Sequence, residues 1–188
     1  MEALLTSTLI VTLAEMGDKT QLLSFVLAAR FRRPWPIALG ILVATLANHF
    51  LAGWLGAWLA TLVSPDVLRW SVAAAFAGFG LWALRPDTLA DEPTMRPASV
   101  FITTLVAFFL VEMGDKTQLA TIALAARYDA LAAVVLGTTA GMMIANVPAV
   151  WMGEKFAGRV NMRHLRWAAA ALFFVMAAAT LLVGTPRA

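Results

Sequence analysis

The sequence predicts an all-α integral membrane protein of six transmembrane helices, arranged as two inverted three-helix repeats. Three observations carry that prediction. Hydrophobic residues make up 61% of the 188 positions and charged ones only 13%, about half the charge of an ordinary soluble domain, and mean hydropathy is +0.80. Six apolar stretches are long enough to cross a hydrocarbon core, which takes roughly 20 helical residues. A gap-free shift of 97 residues also lays the second half of the chain on the first.

The spans are expected at Ala3–Ala29, Pro36–Val63, Val67–Leu84, Ala98–Ala126, Ala130–Met152 and Leu165–Val183. The first has no basic leader and no cleavage site, so it reads as a retained span. Arg30-Phe31-Arg32-Arg33-Pro34 closes it, and Ser64-Pro65-Asp66 separates the second span from the third. Residues 86–98, rich in proline and acid, form the linker between a first repeat at 1–85 and a second at 99–188. Lysine and arginine outside the spans set the orientation. The first, third and fifth connections hold Arg30, Arg32, Arg33, Arg85, Arg96, Lys155, Arg159, Arg163 and Arg166, against Arg69, Arg127 and Arg187 on the other side. Both termini are therefore expected outside the cytoplasm.

The shift superposes Leu27-Ala28-Ala29-Arg30 on Leu124-Ala125-Ala126-Arg127, Leu39-Gly40 on Leu136-Gly137, and Leu68-Arg69-Trp70 on Leu165-Arg166-Trp167. Each half holds three spans. Three is odd, so the second half enters the membrane from the opposite side. Transporters built this way place substrate and ions between the repeats, near the midplane.

The best-matched stretch is also the most polar. Glu15-Met16-Gly17-Asp18-Lys19-Thr20-Gln21 recurs unchanged as Glu112-Met113-Gly114-Asp115-Lys116-Thr117-Gln118, deep within the first and fourth spans. On a continuous helix Glu15, Asp18 and Lys19 share one face. A charge at mid-bilayer costs roughly 2.5–3.5 kcal/mol, so six of them must face one another rather than lipid. Gly17 and Gly114 permit close approach, or a local break that frees backbone carbonyls. Glu15, Asp18, Glu112 and Asp115 against Lys19 and Lys116 leave a formal charge of −2. One divalent cation neutralises it, and so do two protons. Together with Thr20, Gln21, Thr117 and Gln118 these carboxylates make a hard oxygen set suited to Mn²⁺, Ca²⁺ or Mg²⁺. Without metal, each lysine is expected to pair with its own glutamate at i,i+4. Asn48 and His49 in the second span and Asn146 in the fifth are accessory candidates, either lining the cavity or gluing helices together.

Several classes are excluded. The pI near 10.0 accompanies a net charge of only +3, and no basic stripe interleaved with aromatics is present, so no nucleic-acid partner is expected. The absence of cysteine removes disulfides, thiol chemistry and thiolate metal sites. No activated nucleophile or His/Cys triad marks an enzyme.

At Glu15–Thr20 and Glu112–Thr117 the chain carries a doubled E-x-G-D-(K/R)-(T/S) signature. In this it resembles bacterial members of the Golgi-and-chloroplast family of divalent cation/proton antiporters, linked in humans to a congenital disorder of glycosylation. The resemblance covers nearly the whole chain. It implies exchange of Mn²⁺ or Ca²⁺ for protons, with Mn²⁺ export associated with prokaryotic members. It places the cation site on Glu15, Asp18, Glu112 and Asp115, with Lys19, Thr20, Lys116 and Thr117 at the family's basic and hydroxyl positions. The longer leader and extended acidic central loop of eukaryotic members are not expected here, which favours a bacterial inner (cytoplasmic) membrane. The expected function is a secondary transporter exchanging a divalent cation, first of all Mn²⁺, for protons. No cofactor is permanently bound, the partners are the cation, protons and the lipid bilayer, and a homodimer is left open. A small-solute exporter with Lys19 and Lys116 holding an anionic group, and a non-transporting membrane scaffold, are the alternatives.

Overall fold

A computed structural model describes residues 1–85, 99–152 and 162–183. The described residues form eight helices: α1 (Glu2–Glu15), α2 (Lys19–Phe31), α3 (Pro34–Leu62), α4 (Pro65–Ala83), α5 (Val100–Glu112), α6 (Lys116–Arg127), α7 (Leu131–Met152) and α8 (Met162–Val183). Proline opens α3 and α4 at positions where its missing N–H costs nothing. Ser64 and Ser99 cap α4 and α5 by accepting from the Val67 and Ile102 amides. The expected linker at 86–98 lies outside the described residues, as do Lys155 and Arg159.

Helix ends fall within a few residues of the expected spans, with one difference. The stretches expected at Ala3–Ala29 and Ala98–Ala126 are each divided in two at the repeated motif. Among the described residues, α3 and α7 are the helices long and apolar enough to cross a bilayer unaided. Both bury polar side chains among apolar ones, Thr45, Asn48 and His49 on α3 and Thr138, Thr139 and Asn146 on α7. Leu39, Phe50, Leu110, Leu136 and Val175 are exposed, whereas Glu15, Asp18, Glu112, Asp115, Asn48, His49 and Asn146 are buried. A protein in water shows the reverse. Apolar side chains turned outward suit lipid, and charged side chains turned inward must satisfy one another.

The two halves interlock. Helix α3 packs on α5 and α6, its counterpart α7 packs on α1 and α2, and α4 packs on α8. Small residues set how closely these helices approach. A Cβ on Gly40 would stand 2.7 Å from Thr104 Cβ, and one on the equivalent Gly137 would stand 2.5 Å from the Leu4 carbonyl oxygen. Gly141, one turn on, is as tightly set against Thr8. The Gly137–Gly141 seam thus seats α7 on α1. Phe76 and Phe173, stacked at 6.4 Å, fill the contact between α4 and α8. The motif breaks are thereby held side by side at the centre of the molecule.

Candidate cation site

Each motif is a turn between two helices. Met16 has φ −66° and ψ 114°, Gly17 has φ +85°, and the Asp18 amide donates to the Glu15 carbonyl at 3.1 Å. That is a type II turn, whose third position needs a positive φ that glycine alone adopts at no cost. The second copy repeats it, with Met113 at φ −64° and ψ 122°, Gly114 at φ +76° and the Asp115 amide on the Glu112 carbonyl at 3.0 Å. Glutamate ends the first half-helix, Met-Gly makes the turn, and aspartate stands at the start of the next half-helix. Lysine and threonine begin that helix, and glutamine reaches back to the turn. The single-face arrangement expected of a continuous helix does not hold, because the turn separates Glu15 from Asp18.

The threonines and lysines divide the carboxylates between them. Thr20 donates to Glu15 Oε2, and Thr117 donates to Glu112 Oε1 at 2.5 Å. Lys19 pairs with Asp115 at 2.7 Å, and Lys116 pairs with Asp18. The expectation that each lysine pairs with its own glutamate is therefore corrected. With the helix interrupted, the i,i+4 geometry is gone, and each ammonium meets the aspartate of the other half across the interface. The two cross-pairs neutralise both aspartates, so the excess charge of −2 rests on Glu15 and Glu112.

Carboxylate oxygens of Glu15, Glu112 and Asp115 lie within 4.8 Å of one another, all buried. Glu15 Oε1, Glu112 Oε2 and Asp115 Oδ2 have no hydrogen-bond partner. Unpartnered acceptors in the interior carry a desolvation cost unless something fills the space between them. Three carboxylates grouped this closely, with the N-termini of α2 and α6 beside them, can hold either a hard cation or protons. Of the four expected ligands, Asp18 is the one outside this triad.

The two sides of the site are unequal. The Lys116 side chain is 5% exposed and that of Lys19 is 23% exposed. Beneath the first turn lies a cavity of about 10 Å³, lined by Gly17, Asp18, Lys116 and Arg85 among others, which is room for about one water. At the second turn Met113 is exposed, and a Cβ on Gly114 would meet nothing within 4 Å.

The remaining candidates surround this centre. Gln21 Oε1 accepts from the Gly17 amide at 3.0 Å, and Gln118 Oε1 accepts from the Gly114 amide at 2.7 Å. Asn146 accepts from Ser24 Oγ at 2.9 Å and donates to the Met142 carbonyl at 3.1 Å. Asn48 donates to the Phe109 carbonyl at 3.0 Å. His49 is fully buried, and neither ring nitrogen has a hydrogen-bond partner. Sequence reading missed Ser24. Its signal was present in the repeat, because the same shift places Ser24 on Thr121, and both hydroxyls bond back to the carbonyl of the motif threonine.

The family model described as "Divalent cation/proton antiporter GDT1" matches residues 3–91 and 100–187. A Vibrio cholerae protein named "Putative manganese exporter" is 48% identical over 181 residues, covering 96% of this chain and 90% of that protein. A GDT1-like protein of Synechocystis is 29% identical over 191 residues, covering 90% and 91%. GDT1-like protein 5 of Arabidopsis thaliana is 28% identical over 209 residues, with the same coverage. No solved structure matches the chain.

Proposed function

The chain belongs to the GDT1 family of divalent cation/proton antiporters, and from that premise we propose that it exports Mn²⁺ in exchange for protons, with Ca²⁺ the competing cargo. The observation that carries this reading is the buried triad of Glu15, Glu112 and Asp115, drawn from both motifs: one carboxylate oxygen of each lies within 4.8 Å of the others, and each carboxylate keeps one oxygen without a hydrogen-bond partner. Its donors are carboxylates, with no thiolate or thioether among them, which suits a hard divalent ion. The name of the Vibrio cholerae relative supports Mn²⁺ as that ion.

The architecture proposed is six spans in two inverted repeats, 1–85 and 99–188, with α1–α2 and α5–α6 each counted as one broken span. The interlocked packing and the matching turns support it. The count of basic residues supports an inner-membrane orientation with both termini outside the cytoplasm. In the cation-loaded state the triad is deprotonated and an Mn²⁺ ion occupies the space between the three oxygens. In the return state protons on Glu15 and Glu112 replace the ion's charge. Lys19 and Lys116 stay on their aspartates throughout and hold the halves together. Asp18 acts as the anchor of Lys116, and Thr20 and Thr117 orient the glutamates. Rocking of one half against the other exposes the same triad first to one side and then to the other.

Proteoliposomes under an imposed pH gradient test this. Mn²⁺-driven proton flux is expected in the unsubstituted protein, and Glu15→Gln or Glu112→Gln should abolish it. Normal flux in either variant contradicts the mechanism.

A further inference from the structure

The sequence offers the Gln21 and Gln118 oxygens to a cation, but in the structure those oxygens accept from the amides of Gly17 and Gly114. Their amide nitrogens then reach across to the other half, where the two copies differ. Gln21 Nε2 donates to a main-chain oxygen, the Ala145 carbonyl on α7, at 3.0 Å. Gln118 Nε2 donates to a side chain, Asn48 Oδ1 on α3, at 3.4 Å. Position 48 is the counterpart of 145 under the 97-residue shift, so only one half carries a side chain for this task.

Asn48 does a second job at once. Its Nδ2 donates to the Phe109 carbonyl in the last turn of α5. The counterpart of Phe109 is Thr12, whose carbonyl takes the Met16 amide at 3.2 Å. The first turn is thus tied by main-chain oxygens that no substitution removes. In the second, which is also the open one at Met113 and Gly114, the corresponding ties both run through the buried side-chain amide of Asn48, joined to both sides of the break.

We propose that Asn48 is the positioning residue of the site: it staples α5 and α6 across their break onto α3 and, through Gln118, holds the second turn so that Glu112 and Asp115 stay in register with Glu15. The proposal rests on the antiport reading for what the register serves. The staple itself is a property of the protein without metal.

Two measurements on the full chain separate these points. In metal-free protein, Asn48→Leu should speed amide hydrogen exchange at least about tenfold in the peptide containing Gly114 and Asp115, and leave the peptide containing Gly17 and Asp18 within about twofold. Gln118→Met, which removes the acceptor of the Gly114 amide as well as the donor to Asn48, should speed exchange there at least as much, and adding Asn48→Leu to it should contribute no more than about twofold, because the Asn48–Gln118 contact is already gone. In proteoliposomes the apparent KM for Mn²⁺ should rise about tenfold, as for other residues that orient ligands, with the maximal rate nearly kept. Equal acceleration at both turns, or none at the second, overturns the staple. A raised KM with unchanged metal-free exchange makes Asn48 a direct cation contact and also overturns it. Absence of Mn²⁺-dependent flux in the unsubstituted protein refutes the antiport reading alone, and the exchange data still decide the staple.

Discussion

Lys19→Met isolates the electrostatic logic of the site. Lys19 supplies the cation that pairs with Asp115 at 2.7 Å, and Asp115 is also a member of the carboxylate triad. Removing it leaves three carboxylates whose oxygens lie within 4.8 Å. At an effective dielectric constant of about 20, two unit charges that far apart repel by roughly 3.5 kcal/mol. Breaking a buried pair typically costs about 3–5 kcal/mol. Lys19 is 23% exposed, so water screens part of this and the lower end, about 3 kcal/mol, applies. For a chain of this size that is a fall of roughly 6–12 °C in Tm. The assay is thermal unfolding of the purified protein in detergent without metal. Adding Asp115→Asn to Lys19→Met should recover most of the loss, because the uncompensated charge is gone. Saturating Mn²⁺ should raise the Tm of Lys19→Met by more than it raises that of the unsubstituted protein, because the ion supplies the missing positive charge. A Lys19→Met protein as stable as the original, or a double variant less stable than the single, refutes the reasoning.

Other predictions follow from the same geometry. Gly114→Ala should cost about 1–2 kcal/mol from its positive φ alone, since the added methyl has open space. A Tm unchanged by that substitution would mean the turn is not held as described. Carboxylates bind a cation only when deprotonated, so the Mn²⁺ half-saturation concentration should rise as pH falls on the loading side. With two protons displaced per ion, the steepest part of that rise approaches about a hundredfold per pH unit, and a flat profile contradicts proton competition. Glu112→Asp should retain measurable flux, because the charge survives and only the reach is lost, whereas Glu112→Gln should retain none.

Much of the fold was legible in the chain because lipid imposes a simple rule on length and polarity. Helix positions and the burial of the charged motifs follow from it, and the 97-residue shift matches the helices and turns of the two halves. The motif was recognisable as polar and glycine-bearing, yet treating it as continuous helix put Glu15, Asp18 and Lys19 on one face. The type II turn that separates them depends on the pairing of Met16 with Gly17, a local conformational preference rather than a hydrophobic period. Lysine pairing was misread for a different reason. Helical spacing points to the glutamate four residues back, but the nearest partner in space depends on how two broken helices meet. Asp115 joins the triad and Asp18 does not, although each is paired with a lysine of the other half, an inequality that no count of charges reveals. The inequality of the two halves was visible only as letters, Asn48 against Ala145, until the hydrogen bonds of Gln118 and Gln21 gave the difference a meaning.

The central claim is that Glu15 and Glu112 exchange protons for one divalent ion. Calorimetric titration of Mn²⁺ into the purified protein, repeated in buffers of different ionisation enthalpy, measures the protons released per ion bound. Release should climb toward two per ion as the pH is lowered and collapse in the Glu15→Gln and Glu112→Gln variants. Mn²⁺ binding with no proton release at any pH at which the protein stays folded would contradict the account.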